Sequence, residues 1–291
     1  MSGTATVRAM PGPELRAIEP GHGRVVLLVV AHADDMTLFV GGTVAAWTRE
    51  GWSVVVVRTT DDRWDSVGLD EQATIERNTV QFHEAARILG VTEVVDLGYP
   101  TDTLGDVSEV ALREQIIRQV RTHRPYALVT FDPYSMFGED NQDHVQVAAA
   151  TDESFWTSQF DKHHPEHLEA GLAVHGCFER WYFGRELQRV TDVIDISDSL
   201  DRKIEAASAQ STMMLHLLHQ LRLQAATGGW RIDAIEDALA LADPSELIGV
   251  LLHANAERVG SRYGVGAAEE FRVVRFGGLA GWLDDHGTRV A

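Results

Sequence analysis

Disulfide bonding within this chain is excluded, because Cys177 is the only cysteine among its 291 residues. A reducing, cytoplasmic setting is therefore the simpler expectation. A lone mid-sequence cysteine among apolar neighbours reads as buried filler before it reads as a nucleophile. Basic residues are scarce: 25 Lys and Arg face 44 Asp and Glu, for a net charge of −19. No nucleic acid and no anionic membrane held by bulk electrostatics is expected as a partner. No apolar stretch approaches the length of a membrane span. The segment Met1 to Gly23 is rich in Gly, Pro and Ala but has no apolar core, so it does not read as a signal peptide. Repeats, low-complexity tracts and obvious linkers are also missing. The expected organisation is a single domain over 1–291, with an N-terminal extension to about residue 23 and a mainly helical C-terminal part from about residue 198.

What the sequence does have is an organising stretch from Arg24 to Asp35. The run Val25-Val26-Leu27-Leu28-Val29-Val30-Ala31 is continuous and β-branched, the pattern of a central strand covered on both faces. It ends in His32-Ala33-Asp34-Asp35. Open α/β sheets keep their chemistry at strand carboxyl ends, and this run puts an imidazole and two carboxylates there. Residues 36–50 can continue as a helix, so His32 and Asp35 lie three apart across a strand-to-helix turn. That corner suits a divalent metal. It also suits an ordinary helix cap made by Asp34 or Asp35. The turn lacks Gly-x-Gly-x-x-Gly and offers carboxylates where phosphates need backbone donors, which rejects a nucleotide-binding reading.

Further strands are expected over 53–60, 91–97, 126–131, 178–183 and 190–196. Helices are expected over 36–50, 70–89, 108–123 and 145–160. Residues 161–176 read as irregular and His-rich, 198–224 as one long amphipathic helix, and the remainder as mainly helical with a loop at 261–266. This alternation implies an α/β fold, Rossmann-like, with a mostly parallel sheet and helices on both faces. Asn141-Gln142-Asp143-His144 likewise follows a strand and opens a helix. In a parallel sheet it shares a rim with His32 and Asp35, so His144 is a credible third ligand. Three protein ligands with an open position is the catalytic pattern.

The pattern Ala31-His32-Ala33-Asp34-Asp35, with Gly41-Gly42-Thr43 and the distant Asp143-His144, resembles the LmbE-like (PIG-L) N-acetylglucosaminyl deacetylases. So do Glu84-Ala85-Ala86-Arg87-Ile88-Leu89-Gly90-Val91 and Leu97-Gly98-Tyr99-Pro100. The likeness continues through Asp195-Ile196-Ser197-Asp198, Lys203 and Glu269-Glu270-Phe271-Arg272. It implies an LmbE-like fold and a zinc hydrolase, with iron or another divalent ion as the native alternative. The implied substrate is a small molecule carrying an N-acetylated amino sugar, and a homo-oligomer is compatible with it. By position, His32, Asp35 and His144 correspond to the metal ligands and Asp34 to the general base. Asp143 and Asn141 fall on the remaining catalytic positions.

Three departures matter. Met36 stands where the family has an acidic residue, Ala33 where it has Pro, and Asn141 where it has His. Asn141 can donate a hydrogen bond to an oxyanion but cannot deliver a proton. An alternative is therefore a family member with lost or altered hydrolase activity, acting as a ligand-binding protein or on a different substrate. Arg63, Trp64 and Asp65 lie on the same rim and are candidate substrate contacts, or an ordinary loop. Arg77 is a weaker candidate. His163-His164-Pro165-Glu166-His167 reads first as a solvated loop, and second as a lid offering the missing acid. His216 and His219 read as helix-packing residues.

Overall fold

A computed structural model describes residues 12–135 and 138–288 of the chain. Expectations for residues 1–11, and for Met136 and Phe137 in the loop before His144, lie outside the described residues. In chain order the elements are β1 (Glu14–Leu15), β2 (Val25–Val30), α1 (Asp35–Arg49), β3 (Ser53–Thr60), α2 (Glu71–Leu89), β4 (Glu93–Tyr99), α3 (Glu109–His123), β5 (Ala127–Phe131) and α4 (Gln142–Thr157). They continue with α5 (Pro165–Glu169), β6 (Glu179–Phe183), β7 (Asp192–Asp195), α6 (Leu200–Ala209), α7 (Ser211–Thr227), α8 (Asp233–Leu241), α9 (Ser245–Ser261), β8 (Ala268–Arg275) and α10 (Ala280–His286).

The strands form one sheet in the order β1-β7-β8-β6-β5-β2-β3-β4. All neighbours are parallel except β8, which runs antiparallel to both β6 and β7. The apolar run of β2 explains its central place. Val26, Leu28 and Val30 face one core with Val54 and Val56 of β3, beneath α1, α2 and α6. Leu27 and Val29 face the other with Val55 and Val57, beneath α3 and α4. Period-two alternation thus buries both faces of an unbroken apolar run. From β2 the chain winds outward through β3 and β4, then returns to lay β5 on the other side of β2. The crevice between the carboxyl ends of β2 and β5 is the topological switch point, where open α/β sheets bind ligands.

Two local expectations are corrected and one is extended. The single helix over 198–224 is two helices, α6 and α7, that break at Gln210 (φ −95°, ψ 45°). The break has a polar cause: the buried Gln210 amide donates to the Ala33 carbonyl and accepts from the Thr37 hydroxyl, at 2.7 and 2.6 Å. The C-terminal part is mainly helical as expected, but it also holds the strand β8 (Ala268–Arg275), which the sequence pattern does not single out. The irregular stretch 161–176 contains the short helix α5.

Candidate metal centre

Two loops build the site. The β2–α1 turn carries His32 and Asp34 and runs into Asp35, the first residue of α1, while the segment after β5 ends at the N-cap Asn141 and runs into Asp143 and His144 in the first turn of α4. Asp34 occupies the N-cap position of α1, yet its side chain makes no capping bond. The capping alternative therefore does not account for that carboxylate. Asp35 Oδ2 instead accepts the backbone N–H groups of Ala31 and His32, at 3.0 and 2.8 Å, and so folds the turn around itself. Its other oxygen lies 3.2 Å from His144 Nε2. His32 Nδ1 lies 3.2 Å from His144 Nε2 and 3.8 Å from Asp35 Oδ2.

All three side chains are buried, and one donor atom of each lies within 4.8 Å of the others. Ligands at about 2.0–2.1 Å from a tetrahedral ion stand about 3.3 Å apart from one another. The two contacts of His144 Nε2, 3.2 Å to His32 Nδ1 and 3.2 Å to Asp35 Oδ1, match that spacing, and Asp35 Oδ1 is the oxygen left free by the turn. The second ring nitrogens also fit. His32 Nε2 lies 3.4 Å from Asp143 Oδ2, and His144 Nδ1 lies 3.1 Å from Glu139 Oε2. Neither nitrogen has a well-aligned hydrogen-bond partner. Carboxylates behind both imidazoles are the outer arrangement that metal-ligating histidines use.

Electrostatics point the same way. Burial opposes charge on His32, but Asp143, Asp35, Asp62 and Asp65 together raise it to about 10. Burial likewise opposes charge on His144, and Asp35 and Glu139 raise it to about 9. The surroundings of the two imidazoles therefore favour positive charge at their centre. Asp35 is held low despite its burial, by His144 and His32. Asp34 is pushed up by burial and by the Asp35 carboxylate, which gives it a raised affinity for a proton. Burial raises Asp62 to about 7 and Asp65 to about 6.

The remaining sequence candidates fall into three groups. Asp143 is fully buried and accepts the N–H groups of Asp102 and Leu104, at 2.6 and 3.0 Å. It thereby ties the loop after β4 to the back of His32. Asn141 caps α4, its side-chain oxygen accepting the Asp143 N–H at 2.8 Å. In the loop after β3, Arg63 is clamped by Asp61, whereas Trp64 is 47% exposed and Asp65 faces the site. Arg77 is exposed on α2, and its neighbour Asn78 holds that loop through the carbonyls of Asp62 and Asp65.

The lid expectation fails. Arg121 gathers the carbonyls of Ser158, Phe160, His163 and His164, and the buried His167 sits between Arg121 and Glu114. His175 bonds the Pro125 carbonyl, at the amino end of β5, so this loop packs at the rim opposite the triad. His167 accepts from Arg121 through Nδ1 and donates to Glu114 through Nε2. No lone pair is left for the His164–Glu166–His167 cluster to offer a metal from that ring.

One residue outside the expected set joins the site. Glu139 backs His144, and its place in a polar loop carries no distinguishing signal. His216 packs rather than joining the site: Nδ1 donates to the Ser66 carbonyl at 3.3 Å and Nε2 accepts from the Gln220 amide at 2.7 Å, which ties α7 to the loop after β3. A cavity of about 470 Å³ lined by Phe39, Phe183, Arg185, Lys203 and Glu269 is separate from the triad, none of whose side chains lines it.

The fold and site define a Rossmann-like α/β protein with a candidate metal centre at its switch point. Residues 27–155 match the family described as PIG-L: GlcNAc-PI de-N-acetylase. It is 26% identical over 232 residues to a 1D-myo-inositol 2-acetamido-2-deoxy-alpha-D-glucopyranoside deacetylase of Mycobacteroides abscessus, covering 66% of this chain and 82% of that protein. The protein of the same name from Rhodococcus opacus is 29% identical over 241 residues, with the same two coverages. Among solved structures it is similar to the N,N'-diacetylchitobiose deacetylase of Pyrococcus horikoshii, with TM-score 0.71 and 21% identity over 89% of this chain and 86% of that one. It is also similar to GalB, the 4-carboxy-2-hydroxymuconate hydratase of Pseudomonas putida, with TM-score 0.62 and 16% identity over 86% and 96%. One fold thus serves a deacetylase and a hydratase, so the reaction has to be argued from the site. Among the described residues, no helix is long and apolar enough to cross a membrane.

Proposed function

We propose that this protein is a metal-dependent deacetylase of the cytoplasm that hydrolyses the amide of an N-acetylated amino sugar in a small molecule. The observation that carries the reading is the convergence of His32 Nδ1, His144 Nε2 and Asp35 at the switch point, with Asp34 beside them. These three would hold the ion, zinc first and iron second. When bound, it supplies an acidified water and polarises the amide carbonyl. Asp34 takes the proton of the attacking water, a role its raised proton affinity suits. The same carboxylic acid then returns the proton to the departing nitrogen, so that water and amide become acetate and amine. Asn141 cannot share that task. Its carboxamide oxygen is spent on the helix cap, and its N–H groups can only donate a hydrogen bond to the oxyanion. Trp64 offers a half-exposed apolar face to a sugar ring and Asp65 an acceptor for its hydroxyls, with Arg63 held back by Asp61.

Asp34→Asn tests the reading on a panel of N-acetylglucosamine conjugates, with released acetate as the measure. Loss of the proton carrier costs on the order of 10²–10⁴ in rate, with bound metal unchanged. Undiminished acetate release would remove Asp34 from the reaction. A second reading, a different reaction at the same centre, is favoured by Asn141 and Met36. It predicts a metal-loaded protein that releases no acetate from any conjugate.

A further inference from the structure

His144 is held in its plane by apolar groups. Phe131 stacks on it at 4.1 Å between ring centroids with 16° between planes, and Phe39 meets it edge-on at 6.4 Å. Such contacts fix where the ring lies but say nothing about which nitrogen carries hydrogen. A neutral imidazole has one N–H, and the group facing the other edge decides which. Only one polar side chain among the described residues meets the Nδ1 edge at close range. Glu139 Oε2 lies 3.1 Å from Nδ1, and the Glu139 side chain is only 4% exposed.

The carboxylate is itself held. Its Oε1 accepts the Asn141 N–H at 3.0 Å and the Arg185 Nε–H at 3.2 Å. Arg185 follows β6, so the loop before α4 is tied to the neighbouring strand's exit. Facing Nδ1, a fixed carboxylate favours the Nδ1–H form and leaves the Nε2 lone pair aimed at Asp35 Oδ1 and His32 Nδ1. It also makes the ring a stronger donor.

We propose that Glu139 is a positioning residue of the metal centre: it sets His144 to ligate through Nε2, and its contact with Arg185 serves only to hold the loop. This role rests on the metal-centre reading above. The competing role is a loop staple, in which the Arg185 and Asn141 contacts are all that matters.

The experiment uses the full chain with zinc, its affinity measured by chelator competition, for wild type, Glu139→Gln, Arg185→Ala and His144→Ala. Copper(II)-loaded samples add a spectroscopic readout. Electron spin echo modulation senses the remote nitrogen of a ligating imidazole, which here is the Nδ1 that Glu139 faces. Glu139→Gln is expected to weaken zinc binding about 10–100-fold and to shift the remote-nitrogen signal of one histidine. Arg185→Ala is expected to lower the melting temperature and leave both readouts at wild-type values. The proposal is overturned if Glu139→Gln binds zinc like wild type with an unshifted signal, or if Arg185→Ala loses as much affinity as Glu139→Gln. If wild type binds no zinc, or His144→Ala binds it equally well, the metal-centre reading falls and the proposal with it. Failure of the Glu139 arm alone leaves that reading standing.

Discussion

Lys203→Met should cost this protein more than any surface change, because it strands a charge. Lys203 and Glu269 side chains are 4% and 5% exposed and pair at 2.7 Å. Glu269 also accepts the N–H groups of Gly42 and Thr43 in α1, at 3.0 and 2.8 Å. Methionine fills much the same space as lysine, so packing beside Gly41 is largely kept and the loss is electrostatic. Removing one partner of a buried pair costs about 3–5 kcal/mol, since the other charge stays buried without compensation. Unfolding entropy of about 2.1 cal/mol/K per residue, over a chain of this length, is about 0.6 kcal/mol/K. The melting temperature should therefore fall by about 5–8 °C, read by calorimetry on metal-free protein. The double variant Lys203→Met with Glu269→Gln removes the stranded charge and should recover much of the loss. A single variant melting within about 1 °C of wild type would show that Glu269 is not buried as the structure has it, and the reasoning would fail.

Two further outcomes are expected. His167→Ala should destabilise by about 1–3 kcal/mol, by leaving Arg121 and Glu114 without their buried partner, while turnover and zinc content stay at wild type; reduced turnover with unchanged stability would restore the loop to the active site. Burial pushes the Cys177 thiol up to about 12, so native protein should resist a thiol reagent at pH 8 and react fully once unfolded. Because the folded value is raised, the neutral thiol's share of stability is intact below about pH 8.5 and is lost as pH climbs from there towards 12. Rapid labelling of the native protein would contradict this burial.

Much of the site is legible in the amino-acid sequence, for a physical reason. β2, β3 and β5 are buried on both faces, so their sequences are apolar runs whose ends are visible, and parallel pairing puts those ends on one rim. His32, Asp35 and His144 follow from that geometry. The scattered residues of the family likeness find a common cause only in three dimensions. Gly42 has no room for a Cβ against Ile196, Ser199 bonds the Gly42 carbonyl, and Lys203 with Glu269 clamps the same turn of α1. The features that stay hidden in the sequence depend on distant partners. Nothing in Ala-Glu-Glu-Phe-Arg-Val-Val-Arg distinguishes a strand inside a sheet from a helical tail, because its two arginines are satisfied by Asp132, Glu179 and Asp192 far away in sequence. The break at Gln210 has no Gly or Pro to mark it. Glu139 is one acid among many until His144 is placed beside it.

The antiparallel β8 lies inside the sheet although it is made after all the other strands. Until residues 268–275 emerge from the ribosome, β6 has an open flank, and β1 with β7 has nothing to pair against. The nascent protein must therefore carry two unfinished edges while the half bearing His32 and His144 is already able to assemble, and a chaperone would meet it in that window.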